Sequence, residues 1–162
     1  MADVALLCNW WNHPELLDDF CAAVADEAWS ELLVVDNASD RETSLRLRRR
    51  IGALGGRVLH RPDRGQTAGN HRAVAATRAP VLLFLNNDVR LRRPGWLERL
   101  VAEVAPGHLR GHAERHELGV RYLESWCLAI ARGDWERLGG FDPIYEEPPY
   151  WVDVDLSLSL IH

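Results

Sequence analysis

The chain contains no lysine: apart from histidine its cations are all arginine, and 24 acids against 19 basic residues give a formal net charge of −5. That balance argues against a nucleic-acid-binding surface, because phosphate backbones reward clustered cations. The missing lysine itself reads as a compositional bias. Cysteine is scarce as well: Cys8, Cys21 and Cys127 are odd in number and lack metal-ligand spacing. Cys8 and Cys127 sit in apolar, strand-like runs, which suits buried free thiols in a reducing compartment. No apolar stretch approaches the length needed to span a membrane, and the start MADVALLCNWW has neither a basic leader nor a cleavage site. The expectation is a cytoplasmic protein. A glycine-rich G-x-G-x-x-G turn is also missing after the first apolar run, where Asn9-Trp10-Trp11-Asn12 stands instead, and this argues strongly against a dehydrogenase.

What is there is an alternation. A length of 162 residues, 47% hydrophobic and 27% charged, fits one globular domain. Val4–Cys8 reads as a strand, and Asn12, Pro14 and Glu15 signal a helix start ahead of an apolar face of Leu16, Leu17, Phe20, Cys21 and Val24. Leu32–Val35 is a second strand. Ser39 and Glu42 form a capping-box pattern before a helix with Leu47, Ile51 and Leu54 on one side. Gly55-Gly56 ends it, and Val58-Leu59 begins a third strand. A helix over Thr67–Thr77 precedes an apolar strand at 82–89, LLFLNNDV, and Pro94 opens another helix bearing Trp96, Leu97, Leu100, Val101 and Val104. This series predicts an α/β fold with a mostly parallel sheet flanked by helices. Residues 106–121 are polar and glycine-punctuated. His108, His112 and His116 recur at four-residue spacing there, but the segment reads as a solvated loop or frayed helix rather than a metal site. Trp126–Ala131 is a strand, Asp134–Leu138 a short helix, Gly139-Gly140 a turn and Trp151–Ile161 an amphipathic segment. The oligomeric state is open.

Parallel strands share one carboxyl edge, where ligands of α/β proteins bind. Asp36 ends the second strand and can accept hydrogen bonds from a base or a ribose. Gly65, Gly69 and Asn70, with Asp63, form a small, polar turn that lets phosphates approach the backbone. Asn86, Asn87 and Asp88 end the LLFLNNDV strand, and one carboxylate with flanking amides suffices for a cation whose other ligands are phosphate oxygens and waters. Asp153 and Asp155 open the last segment. As a helix start it would favour ionised Asp153, a candidate general base.

Five ordered stretches, VVDNASD (34–40), GQTAGNHRAVAAT (65–77), LLFLNNDV (82–89), ESWCLAIARGDWERLGGFD (124–142) and YWVDVDLSLS (150–159), together resemble a family 2 glycosyltransferase of the GT-A, Rossmann-like fold. The resemblance implies a nucleoside-diphosphate sugar donor, UDP-sugar being commonest, a divalent cation (Mn²⁺ or Mg²⁺), a saccharide or other hydroxyl acceptor, and transfer with inversion. It assigns Asp88 to the metal and Asp153 to the base. Asn9, Asp36, Gly65, Asn70, Asn86 and Asn87 fall to the donor. Trp126, Gly140, Asp142 and Asp155 fall to the acceptor side. Residues 1–105 would be the nucleotide-sugar half and 106–162 a shortened acceptor half. Val152 stands where the family usually has glutamate, Ser159 where it often has arginine, and Gly69 where many members carry an arginine. The chain also stops at His162, just past the proposed base, as a truncated or reduced member would. The alternative reading is a catalytically impaired nucleotide-sugar-binding module of the same fold.

Overall fold

In the computed structural model, strands β1 (Val4–Trp10), β2 (Glu31–Asn37), β3 (Arg57–Arg61) and β4 (Val81–Leu85) run parallel in the order β3-β2-β1-β4. Strand β6 (Arg121–Ala131) lies antiparallel beside β4, and β5 (Arg110–Arg115) antiparallel beside β6, completing a six-stranded sheet. The structure describes residues 3–91, 93–115, 119, 121–146 and 151–161. His116, Tyr150 and His162 therefore lie outside the described residues.

Side chains alternate across the sheet, and both faces are apolar. Val4, Leu6, Cys8 and Trp10, with Leu32, Val34, Leu83 and Leu85, pack beneath α1 (Leu17–Val24), α2 (Arg41–Ala53) and α4 (Trp96–Val101). Ala5, Leu7, Leu33, Val35, Leu82 and Phe84 point the other way, beneath α3 (Gln66–Ala75), α5 (Arg132–Leu138) and α6 (Val152–Ile161). The outcome is a helix–sheet–helix sandwich in which the central strands are dry on both sides. Trp10 meets Phe20 edge to face on the first side. Phe84, Trp135 and Phe141 form an aromatic cluster on the second.

Several local expectations are corrected. The segment 106–121 is not a loop or frayed helix throughout, since Arg110–Arg115 is strand β5. Its polar residues fit an edge strand, where one row of side chains faces solvent. His112 pairs with Glu124 across the hairpin and with Glu114 on its own strand. Helix α2 is capped by Asp40, whose carboxylate accepts from Thr43 N and Oγ1, while Ser39 turns back to accept from Asn12 N. Asn12 does not cap either. Its Oδ1 accepts from Asp40 N, and the chain enters a 3-10 turn, Pro14–Leu16, through His13 in the left-handed region. Strand β4 stops at Leu85, leaving Asn87-Asp88 in a turn.

Gly140 has a positive φ of 76° and is buried, and a Cβ there would meet Trp135 and His71 at under 3 Å. His71 in turn bonds the Phe141 carbonyl, so this turn locks α3 to α5. Gly140→Ala is expected to cost about 2 kcal/mol or more, from left-handed strain plus overpacking. Urea unfolding checks this: a variant within 0.5 kcal/mol of wild type, roughly the scatter of surface substitutions, contradicts the packing account.

Candidate functional site at the carboxyl edge

In the central strands β1, β2 and β4, polar side chains gather at the carboxyl ends, after the buried apolar runs. Asn9 near the end of β1 and Asn37 at the end of β2 share the parity that faces α3. Asn9 Nδ2 donates to Asn70 Oδ1 at 2.6 Å and to the Gln66 carbonyl at 3.1 Å, while Asn37 Nδ2 donates to Asn9 Oδ1 at 3.0 Å. Arg61, ending β3, donates to Asn37 Oδ1 at 3.0 Å and to the Gly65 carbonyl at 2.9 Å. This amide network explains Gly69, because a Cβ there would collide with Asn9 Oδ1, so no arginine fits. Gly65 begins α3 at φ 139°, and a Cβ on it would strike the Glu146 carboxylate. Glu146 Oε2 accepts from Ala68 N at 2.9 Å, on the first turn of α3, where the helix's positive end favours an anion. Its other oxygen is buried and has no hydrogen-bond partner among the described residues.

A cavity of about 300 Å³ opens over this network. Its lining combines Asn9, Asn37, Gly65 and Gln66 with Asn86 and Asn87 from beyond β4, and with Trp10, Trp11, His13 and Arg64. The Arg64 guanidinium lies 3.9 Å above the Trp11 ring, a cation–π pair at the mouth. Trp11 and Arg64 were visible in the sequence only as ordinary loop residues. Exposed tryptophan just past a buried strand is the signal that marks Trp11.

Asp36 differs by one residue from Asn37 and so faces α2 instead. It is fully buried. Ser39 N donates to its Oδ1 at 3.0 Å, and Ser44 Oγ and His60 Nδ1 reach its Oδ2. Burial alone would raise its pKa, but the hydrogen bonds from Ser44, Ser39 and His60 bring it below the ordinary aspartate value of 3.8. Asp36 is not among the lining residues of the cavity.

The other half of the edge is built by an irregularity. Between its pairings with Gly111 and Ala113 of β5, β6 shifts from Leu128 to Leu123, so the residues between are bulged. Bulges of this kind re-aim side chains beside functional sites. A Cβ on Gly111 would run into the Cys127 carbonyl, so the bulge needs glycine opposite it. The bulged residues make two connections. The Trp126 carbonyl accepts from Asn86 N at 2.9 Å, and Ser125 N donates to Asp153 Oδ2 at 3.2 Å. Trp126 and Asn86 join Asp88, Val89, Arg90 and Leu91 around a second cavity of about 420 Å³. Asp88 is exposed, with no hydrogen bond or ion pair among the described residues. Burial pushes the Cys8 thiol well above its ordinary pKa, and the charge of Asp88 adds to the rise.

The remaining residues divide clearly. Asp153 and Asp155 occupy the first turn of α6; Val152 beside them is buried in the core rather than turned to the cleft. The Tyr122 phenol is raised by desolvation and then by the charges of Asp153, Glu124 and Glu114. Asp142 accepts from Ile144 N and caps the 3-10 turn Pro143–Tyr145. Gly140 shapes the turn described above. His112, Glu114 and Glu124 place ligand atoms within 4.8 Å of one another on the exposed hairpin.

Asp36→Asn is expected to lower stability at neutral pH and to flatten its dependence on acid. The folded-state pKa is depressed, so the wild-type contribution is present above the unfolded value and fades as pH falls through the folded one. Chemical denaturation from pH 6 down to about pH 2 reads this directly; identical curves for both proteins refute it.

The architecture matches known proteins. A mannosyltransferase from Pyrobaculum calidifontis, solved with GDP-Man and Mn²⁺, superposes with a TM-score of 0.72 at 17% identity, over 86% of this chain and 47% of that one. Glucosyl-3-phosphoglycerate synthase from Mycobacterium tuberculosis, solved with UDP, gives 0.65 at 19% identity, over 82% and 58%. TarS from S. aureus gives 0.71 at 12% identity, over 97% of this chain and 34% of that one. The chain thus spans about half the length of the first two, and these likenesses establish a GT-A fold. No curated protein matches the sequence. The family model described as Glycosyl transferase family 2 matches residues 12–110, most of the chain, and the protein belongs to that family.

Proposed function

We propose that this protein transfers a sugar from a nucleoside-diphosphate donor, a UDP-sugar by preference, to an acceptor hydroxyl with inversion. The observation that carries the reading is the β6 bulge. Through consecutive residues, Trp126 and Ser125, it ties the Asn86–Asp88 turn to Asp153. A group for the leaving diphosphate and a group for the incoming hydroxyl are thereby fixed to one short stretch of backbone. Residues 1–105 supply the donor half and 106–162 the acceptor half.

The donor is assigned to the first cavity, with the base against Trp11 and the diphosphate toward Gly65 and Asn86. Arg61 and Arg64 bring positive charge to a pocket from which Gly69 excludes an arginine of its own. Asn37 donates to Asn9, and Asn9 to the Asn70 side-chain oxygen and the Gln66 carbonyl, so this network holds the floor rigid. The edge also fits a divalent cation. Asp88 offers an exposed carboxylate directly after two asparagines, and the three side chains supply hard oxygens suited to Mn²⁺ or Mg²⁺. Such an ion, when bound, stabilises negative charge on the departing diphosphate. Asp153 takes the proton from the acceptor hydroxyl as its oxygen attacks the anomeric carbon, opposite the leaving phosphate. Ser125 N holds one carboxylate oxygen and Val154 N the other, which fixes the orientation of the base. Trp126, beside Asp88, offers a flat face for a sugar, and Asp155 is the nearest further acid on α6. General-base action of this kind supplies ~10²–10⁴-fold in rate.

A second reading has its own observation. Val152 is part of the core, so the first turn of α6 presents Asp153 without a second acid at position 152. A donor-binding module with weak or no turnover is consistent with that. Two measurements separate the readings. Calorimetry is expected to show nucleoside-diphosphate binding that strengthens with Mn²⁺, and Asp88→Ala is expected to abolish the metal enhancement. Asp153→Asn should retain nucleotide affinity while lowering transfer or donor hydrolysis by ~10²-fold or more. Turnover insensitive to Asp153→Asn eliminates the proposed base, and absence of nucleotide affinity with or without metal eliminates both readings.

A further inference from the structure

Helix α2 concentrates charge of one sign in a protein of the opposite sign. Its thirteen residues include five arginines and one glutamate, within a chain of formal net charge −5. The inner face is used up: Thr43, Leu47 and Ile51 are buried in the sandwich. The outer face presents Arg41, Arg46, Arg48 and Arg49, all exposed, around Leu45, which is 57% exposed. Arg41 and Arg49 lie one turn on either side of Leu45, and Arg48 lies on the adjoining stripe. Arg50 is tied to Asp18 at 2.6 Å, but no ion pair to the other four is found among the described residues. One acid, Glu42, lies on this face, one turn before Leu45 and Arg46, while Asp40 is committed to capping.

We propose that the outer face of α2 docks the protein on an anionic lipid surface. Four guanidiniums with no ion pair among the described residues outnumber Glu42 on the outer side of the helix and suit a layer of phosphate headgroups, and Leu45 among them suits the hydrocarbon just beneath that layer. A nucleic acid would meet the same charges but offers Leu45 nothing, and the acidic remainder of the chain repels a long polyanion that runs past the helix. No helix among the described residues is long and apolar enough to cross a membrane, so the contact is peripheral. Asn12 bonds to Ser39 and Asp40 at the start of α2, so the helix begins beside the loop that carries Trp11.

The test is co-sedimentation of the whole chain with vesicles. Wild type is expected to pellet with phosphatidylglycerol-rich vesicles at low salt and not with pure phosphatidylcholine, and to release as salt rises. Each arginine near an anionic surface contributes about fivefold in partitioning, so Arg46→Gln/Arg48→Gln/Arg49→Gln should lower pelleting by at least tenfold. Leu45→Ser should lower it further while leaving retention on heparin unchanged, which a purely ionic contact would not predict. All four positions are exposed, so thermal unfolding of these variants serves as the control for folding. The proposal is overturned if wild type fails to pellet at low salt, if the triple variant pellets equally, or if Leu45→Ser has no effect. Binding of single-stranded oligonucleotide in preference to vesicles also overturns it, in favour of a nucleic-acid surface.

Discussion

A strand buried on both faces has no place for a polar side chain until it leaves the sheet, because an unsatisfied polar group in that setting costs on the order of 1–3 kcal/mol. β1, β2 and β4 obey this along their whole apolar length, with Val4–Cys8, Leu32–Val35 and Leu82–Leu85 all buried. Polarity therefore accumulates at the carboxyl edge, and because the strands are parallel it accumulates in one place. Asn9, Asn37, Asn86 and Asp88 are neighbours for this reason, although they are spread over half the chain. The site follows from the core rather than being added to it.

Parity then decides what each edge residue does. Asp36 and Asn37 are adjacent, yet one is enclosed beneath α2 by Ser39 and Ser44 and the other joins the amide network under α3. The sequence made the apolar runs, the alternation of strand and helix, and the clustering of polar residues after each strand fully legible. Those features need only local periodicity. It did not reveal which of two adjacent polar residues would meet the cavity, because that depends on which sheet face each helix covers. The same limit explains Ser39 and Asp40. Both are good caps, and only the path of the Asn12 loop, which draws Ser39 away, leaves Asp40 at the cap. β5 was illegible for another reason. An exposed edge strand has no apolar alternation of its own, and its pairing is set by β6 from a distance.

The antiparallel half solves a different problem. A parallel strand could bring only its carboxyl end to this edge, but β6 enters from the edge and brings its first residues instead. Those residues are bulged, so their backbone groups are not all consumed by the ladder. The Trp126 carbonyl and the Ser125 N–H are left to hold the Asn86 turn and Asp153. The Trp126 carbonyl extends the β4 side of the ladder, and the bulge frees the Ser125 N–H, which a regular strand would have spent on β5. The glycine at position 111 is what permits the departure, since any Cβ there would strike the Cys127 carbonyl.

In the proposed reaction this geometry gives the two carboxylates unequal surroundings. Asp153 is oriented by two backbone N–H groups, as suits a base that must meet one hydroxyl from one direction. Asp88 has no hydrogen-bond partner among the described residues and follows two asparagines, so it contributes one charge and little geometric constraint. A single carboxylate is a weak site for a divalent ion, which needs about six oxygens. The remaining ligands must come from the diphosphate and water. Cation and donor would then depend on each other for binding, and neither would occupy the edge well alone. Arg61, bonded to Asn37 and the Gly65 carbonyl, and Arg64, over Trp11, would add to this dependence in the proposed site, since they attract the diphosphate and repel a bare cation.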